Sequence, residues 1–265
     1  MSLKAGLMLL LMATITTISI IMPMVKVHQA VDSEAGIRLW QLISPTLPIG
    51  AYAYSQGLET AVEKNWLSNE AEAQNWIAGM LTGSMSKLDA PVIVRLYQAW
   101  QNHDHKALKH WNQFLLACRE SSELYHEDQQ MGRALWRLLS DIVPESNDHN
   151  QVEQFNQYQA LVQRIESPGY ALIFSLAAVI WNIPIADALR GFLWAWCENQ
   201  VAASIKLIPL GQTAGQRILS ALIPAINQGT AQALLLKDHD IGSLAPGFSI
   251  VCAQHEVQYS RLFRS

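Results

Sequence analysis

The chain has 265 residues, 50% of them apolar and only 15% charged, with a formal net charge of −4. That length supports one large domain or two small ones with a sizeable core, and the shortage of charge points to an oligomer or an obligate partner. An acidic chain without a basic run has no field suited to nucleic acid, which is not expected as a partner.

From Ala5 to Met24 no residue is charged, with Lys4 before the run and Lys26 after it, about the length that crosses a bilayer. A signal peptide, an anchor, or an upstream extension ahead of a later start at Met22 or Met24 all fit, so residues 1–34 are read as an apolar N-terminal extension of open status. No second uninterrupted run of that length follows, and membrane contact is not expected of the body.

After Asp32 the apolar spacing is helical almost throughout. Ile37 to Ile43 predict a short first helix, stopped by Ser44-Pro45 and by Pro48-Ile49-Gly50. A helix from about Ala51 to Glu63 would carry Tyr52, Tyr54 and Ser55 on its first turns, and one from Ser68 or Asn69 to Ser84 would take Ser68 as its cap. Asp89, with Pro91 just inside, predicts a capped start for a helix reaching Gln101. Residues 103–118, 121–140 and 150–166 continue in the same way, followed by Tyr170 to Trp181 and by a long apolar helix from Ile185 to about Ile205. Pro209-Leu210-Gly211 restarts the chain into a helix near 212–221, and Ile223 to Leu236 gives one more. Gly242 to Ser265 has little periodicity and reads as an extended tail with one helical turn at most. With no alternating strand pattern, the expected fold is all-α: one bundle-like domain of about ten helices over residues 35–241, then an extended C-terminal tail, 242–265.

Ala53-Tyr54-Ser55-Gln56-Gly57 stands one residue away from the Gly-x-Ser-x-Gly elbow of hydrolases. Too little chain lies between Asp32 and Ser55 to build the sheet that elbow needs, so Ser55 is read as a helix-face residue, with a serine hydrolase as the alternative. His103, His105, His110 and His126 sit among Gln, Asn, Asp and Lys, as on a solvated face, and no metal site is assigned to them. Gly211-Gln212-Thr213-Ala214-Gly215-Gln216 lacks the order of a phosphate loop; Gly215 reads as a close-packing residue, and Lys206, Gln212 and Gln216 as polar groups for a partner to read. The helix bearing Trp194 and Trp196 is apolar on nearly every face, as in a core helix or a dimer seam. Cys118, Cys197 and Cys252 are read as buried apolar residues. In the tail, Tyr259 and Phe263 have the chemistry of anchors, and Arg261 and Arg264 that of forks for carboxylates.

Three blocks, from Ser44 to Glu59, from Ala202 to Arg217, and from Gln258 to Ser265, resemble the UreF family of urease accessory proteins, in register from about Leu39 to Ser265. The resemblance implies an all-α, dimeric, cytoplasmic chaperone without enzymatic activity, cofactor, nucleotide loop or metal motif of its own. Such proteins bind the accessory protein UreD, also called UreH, and recruit the GTPase UreG, so that nickel passes to apo-urease as GTP is hydrolysed. The family's tail orders on UreD, which makes Tyr259, Arg261, Phe263 and Arg264 candidates for that contact. Lys206, Gln212 and Gln216 lie near the turn that the resemblance places toward the GTPase, and Ala214 is given no role.

Overall fold

The computed structural model describes residues 34–243 and 245–265, so the apolar run from Ala5 to Met24 lies outside the described residues. The described residues form eleven α-helices and no strand: α1 Glu34–Leu42, α2 Leu58–Glu63, α3 Glu70–Met80, α4 Asp89–Gln101, α5 His105–Ala117, α6 Ser122–Ile142, α7 His149–Val162, α8 Tyr170–Ile180, α9 Ile185–Leu207, α10 Gln212–Leu235 and α11 Pro246–His255.

Side-chain caps set four of the starts. Asn69, Asp104, Ser121 and Asp148 each accept a hydrogen bond from a backbone N–H in the first turn of α3, α5, α6 and α7, satisfying donors that have no helical partner. Two expected caps differ. Asn69, not Ser68, caps α3, and Ser68 instead donates its N–H and hydroxyl to the Glu72 carboxylate at 2.7 and 2.8 Å. Asp89 is the first residue of α4 rather than its cap, because its carboxylate is engaged by Arg119.

α8 is the centre of the bundle. Ten of its residues, Ala171 to Ile180, are buried. It packs against α4 and α6, with α1, α5, α7 and α9 around them. The Trp100 indole of α4 donates to the Leu172 carbonyl at 3.0 Å, so this helix pair is pinned by a satisfied polar contact as well as by apolar packing. α6 approaches the turn before α8 closely: a Cβ on Gly132 would stand 2.5 Å from the Pro168 carbonyl oxygen. One hydrophobic core runs from Leu42 to Phe263 and includes residues of α9 and α10, which pack along each other.

Residues 212–235 form one helix where two were expected. Pro224 lacks the N–H that would bond the Ser220 carbonyl, but both residues are exposed, so the missing bond does not bury an unpaired carbonyl and the helix continues. Gly215 does pack closely, against Ile205 and Val201 of α9. Among the described residues only α10 is long and apolar enough to cross a membrane; one side of it packs against α9, α3 and α4.

Trp194 and Trp196 of α9 are half-buried, whereas Phe192, Leu193, Cys197 and Val201 on the same helix are buried, so most of that apolar surface belongs to the core. The tail also differs from expectation. Pro246–His255 is a ten-residue helix, and only the stretch after it is extended. Its apolar side, Val251 and Cys252, is buried beside α2, a long-range contact that periodicity over so short a segment does not reveal.

Candidate functional site

The predicted helix from Ala51 to Glu63 is broken. Ala51–Ala53 is a single 3-10 turn after Gly50, Tyr54 is extended, and Gln56 and Gly57 follow with φ of 53° and 75°. Two successive left-handed residues turn the chain sharply into α2. At Gly57 the space is taken by α11: a Cβ there would lie 2.7 Å from Val251 Cγ2. Ser55 is therefore not on a helix face. It is fully buried, its hydroxyl donates to the Ser265 main-chain oxygen at 2.7 Å, and that Oγ also accepts from the Glu59 N–H at 3.4 Å at the start of α2. No strand leads into it among the described residues, and no histidine nitrogen is hydrogen-bonded to it.

The turn receives the end of the chain. The Ser55 and Gln56 N–H groups donate to the Ser265 oxygen at 2.8 and 2.9 Å, and the Arg264 N–H to the Ala53 carbonyl at 2.8 Å. Glu59 is the main clamp: Oε1 accepts from the Leu262 N–H at 2.7 Å and Oε2 from the Phe263 N–H at 2.9 Å. Fully buried His255 sits between two carboxylates, with Nδ1 2.6 Å from Glu123 and Nε2 3.4 Å from Glu59. Glu123 also pairs with Arg261. At the other end of this network Glu127 accepts from the Ser265 hydroxyl at 2.6 Å and from the Gln56 amide at 2.7 Å, while Gln56 Oε1 accepts from the Trp196 indole at 2.7 Å. α11 is tied to α6 by Glu256, whose carboxylate accepts from the Ser122 N–H at 2.6 Å; the Ser122 bonds hold its pKa below the usual range, a favourable charge at a helix N-terminus.

Beside this clamp lies a groove of about 210 Å³. Leu47, Met85, Phe192 and Trp196 line it together with Glu127 and an ion triad. In the triad Arg119 reaches Asp89 at 2.7 Å and Asp128 at 2.5 Å, and Asp128 also accepts from the Tyr170 N–H at 2.5 Å. Burial works against the Arg119 charge, but Asp89 and Asp128 outweigh it and raise its pKa. Burial pushes the Glu127 carboxyl up to about 7, against the pull of the Ser265 and Gln56 hydrogen bonds.

This shift sets a pH dependence. The folded value lies above the ordinary one of 4.5, so the contribution of neutral Glu127 is present in full at acid pH and lost as pH rises through 7. Between pH 4.5 and pH 8 the parent should lose about 3 kcal/mol of stability relative to Glu127→Gln. Urea unfolding of both proteins across that range measures it, and parallel profiles would refute it.

The seven expected partner residues fall into two groups. Lys206 of α9 and the tail come together, the ammonium lying 5.5 Å from the Phe263 ring centroid. Phe263 is an anchor within this chain, buried against its own core, while Tyr259 is fully exposed and Arg264 exposed. Arg261 is engaged by Glu123. Gln212 and Gln216 are exposed on the first turns of α10. The histidines do not assemble: His103 lies before α5 and stacks on Tyr158, His110 packs by Trp111, His126 Nδ1 lies 2.6 Å from the Ser122 carbonyl, and no metal-binding group of three occurs among the described residues. All three cysteines are free and burial raises each thiol pKa, which makes them poor nucleophiles. Glu59, Glu123, Glu127 and His255 were not foreseen as a unit: Glu123 and Glu127 lie in the polar first turns of α6, where acids are ordinary, and only His255, after Ile250-Val251-Cys252, stands in an apolar stretch.

Fold and site together define an all-helical protein whose most developed polar site holds its own C-terminal segment against a groove. The family model for UreF matches residues 67–223. The chain is 46% identical over 231 residues to the urease accessory protein UreF of Alkalilimnicola ehrlichii, covering 86% of this chain and 95% of that relative. It is 45% identical to the UreF of Marinobacter nauticus, covering 86% and 93%, and 43% identical to that of Chromohalobacter salexigens, covering 88% and 96%. The chain belongs to the UreF family of urease accessory proteins.

Proposed function

We propose that this protein is a non-enzymatic scaffold of urease maturation, a cytoplasmic homodimer that joins a UreD/UreH protein and recruits the GTPase UreG for nickel insertion into apo-urease. Family membership over most of the chain is the observation that carries this reading. The docked tail supports it physically. Residues 255–265 are organised around buried carboxylates, which leaves Tyr259 and Leu262 exposed on an ordered backbone, where an ordered surface lowers the entropy cost of association. A scaffold of this kind couples GTP hydrolysis to metal transfer only by binding one nucleotide or metal state of its partner more tightly than another. Co-expression with UreD and UreG, followed by size exclusion with nickel and GTP, tests the reading. Co-elution with both is expected, and elution of this chain alone under all conditions would end it.

A further inference from the structure

The arginines of this acidic chain are not treated alike. Arg38, Arg95, Arg119, Arg190, Arg217 and Arg261 each have a carboxylate within salt-bridge distance. Arg133, Arg137, Arg164 and Arg264 are exposed and have none among the described residues, and of these Arg164 stands apart, just beyond the end of α7. Arg133 and Arg137 stand one turn apart on α6, where like charges repel; exposed Asp141, one turn further on, is the nearest acid to Arg137 along the helix face but makes no ion pair with it.

The third cation is brought to the same place by the fold. The Arg264 backbone is held by Ala53, and burial of Phe263 fixes the residue before it. Its guanidinium faces the Tyr54 hydroxyl. Burial and the Glu127 charge push that hydroxyl up, and Arg264 of the tail and Arg133 of α6 both pull it back. The hydroxyl donates to Gln130 at 2.7 Å, one turn before Arg133 on the exposed side of α6. Tyr54 thus joins the tail to a ridge made of Gln130, Arg133 and Arg137.

We propose that Arg133, Arg137 and Arg264 form a docking face for an acidic segment of a partner protein. Guanidinium forks match carboxylates two hydrogen bonds at a time. Arg133 and Arg137 are separated by about 6 Å along the helix, a spread suited to successive acidic side chains rather than to one phosphate. The net charge of −4 disfavours a long polyanion but leaves a short local contact free. The proposal rests on the scaffold reading for its biological partner, but its test does not.

Fluorescein-labelled hexaglutamate, followed by anisotropy at low salt against the full chain, is the probe. Arg133→Glu/Arg137→Glu, which changes two exposed residues and leaves the fold intact, should weaken binding at least about fivefold, and Arg264→Glu should do likewise. The Arg133→Lys/Arg137→Lys variant should retain part of the affinity. Arg164→Glu, at an exposed arginine in the turn after α7, serves as the charge control and should bind like the parent. Equal binding by parent and Arg133→Glu/Arg137→Glu, with helicity unchanged, overturns the proposal. So does an equal loss in Arg164→Glu, which would mean general charge alone, or displacement of the peptide by equimolar inorganic triphosphate, which would mean a phosphate site. Failure of co-elution with UreD and UreG while the peptide result holds counts against the scaffold reading and leaves this face standing.

Discussion

Replacing Arg119 with methionine should destabilise the protein by about 3 to 5 kcal/mol, the usual cost of leaving buried charges without their partner. Arg119 bridges Asp89 at the start of α4 and Asp128 of α6, and both carboxylates are buried. Asp128 is further committed to the Tyr170 N–H at the start of α8, so the same triad positions three helices. Methionine fills much of the volume but leaves two anions facing each other in a poorly solvated groove. Thermal unfolding should show a midpoint lower by roughly 10 °C. Adding Asp89→Asn and Asp128→Asn to Arg119→Met should recover most of the loss, because a neutral site has no charge to compensate. A single variant as stable as the parent would show that the triad contributes nothing.

Glu59→Ala should release the last residues while the bundle stays folded. Glu59 accepts the Leu262 and Phe263 N–H groups and lies beside buried His255, so its loss removes two charge-assisted hydrogen bonds at once. At about 1.5 kcal/mol or more for each, the Leu262 and Phe263 amides should exchange roughly 100-fold faster. Hydrogen-exchange mass spectrometry of residues 258–265 reads this directly, and trypsin should cleave more readily after Arg261. Exposed Glu63 at the end of α2 gives the control, since Glu63→Ala should leave protection unchanged. Unaltered exchange in Glu59→Ala would remove Glu59 from the clamp. If the scaffold reading holds, the same variant also loses co-elution with UreD, as an undocked tail must pay its ordering entropy on binding.

Much of the fold was legible because helix signals are local. Ser121 before α6 and Pro184 before α9 mark boundaries within a residue or two of where the chain turns. Pro224 misled because a proline reads as a break wherever it stands, yet on an exposed helix face its missing bond costs little. α11 was hidden for the opposite reason: its short sequence has little periodicity, and it is held by burial of Val251 and Cys252 beside Gly57.

The site was only half visible. Tyr259, Arg261, Phe263 and Arg264 stand out by residue type, but their roles depend on groups far away in sequence: Glu59 holds the Phe263 backbone as its ring is buried, Glu123 pairs with exposed Arg261, and Tyr259 stays exposed. Arg133 gave no signal of its own, since an arginine on an amphipathic helix is ordinary until its neighbours are known to lack a carboxylate.

The sequence by itself determined the all-helical class, most helix starts and family membership, since periodicity, capping and motif order are properties of contiguous residues. Only the tertiary structure decided that Ser55 holds the chain end rather than standing on a helix, that residues 255–265 are clamped by Glu59, Glu123 and Glu127, and that Arg264 of the tail and Arg133 of α6 both act on the Tyr54 hydroxyl. Those contacts join segments more than a hundred residues apart, and an ionisable side chain takes its role from the charges and burial that folding places around it.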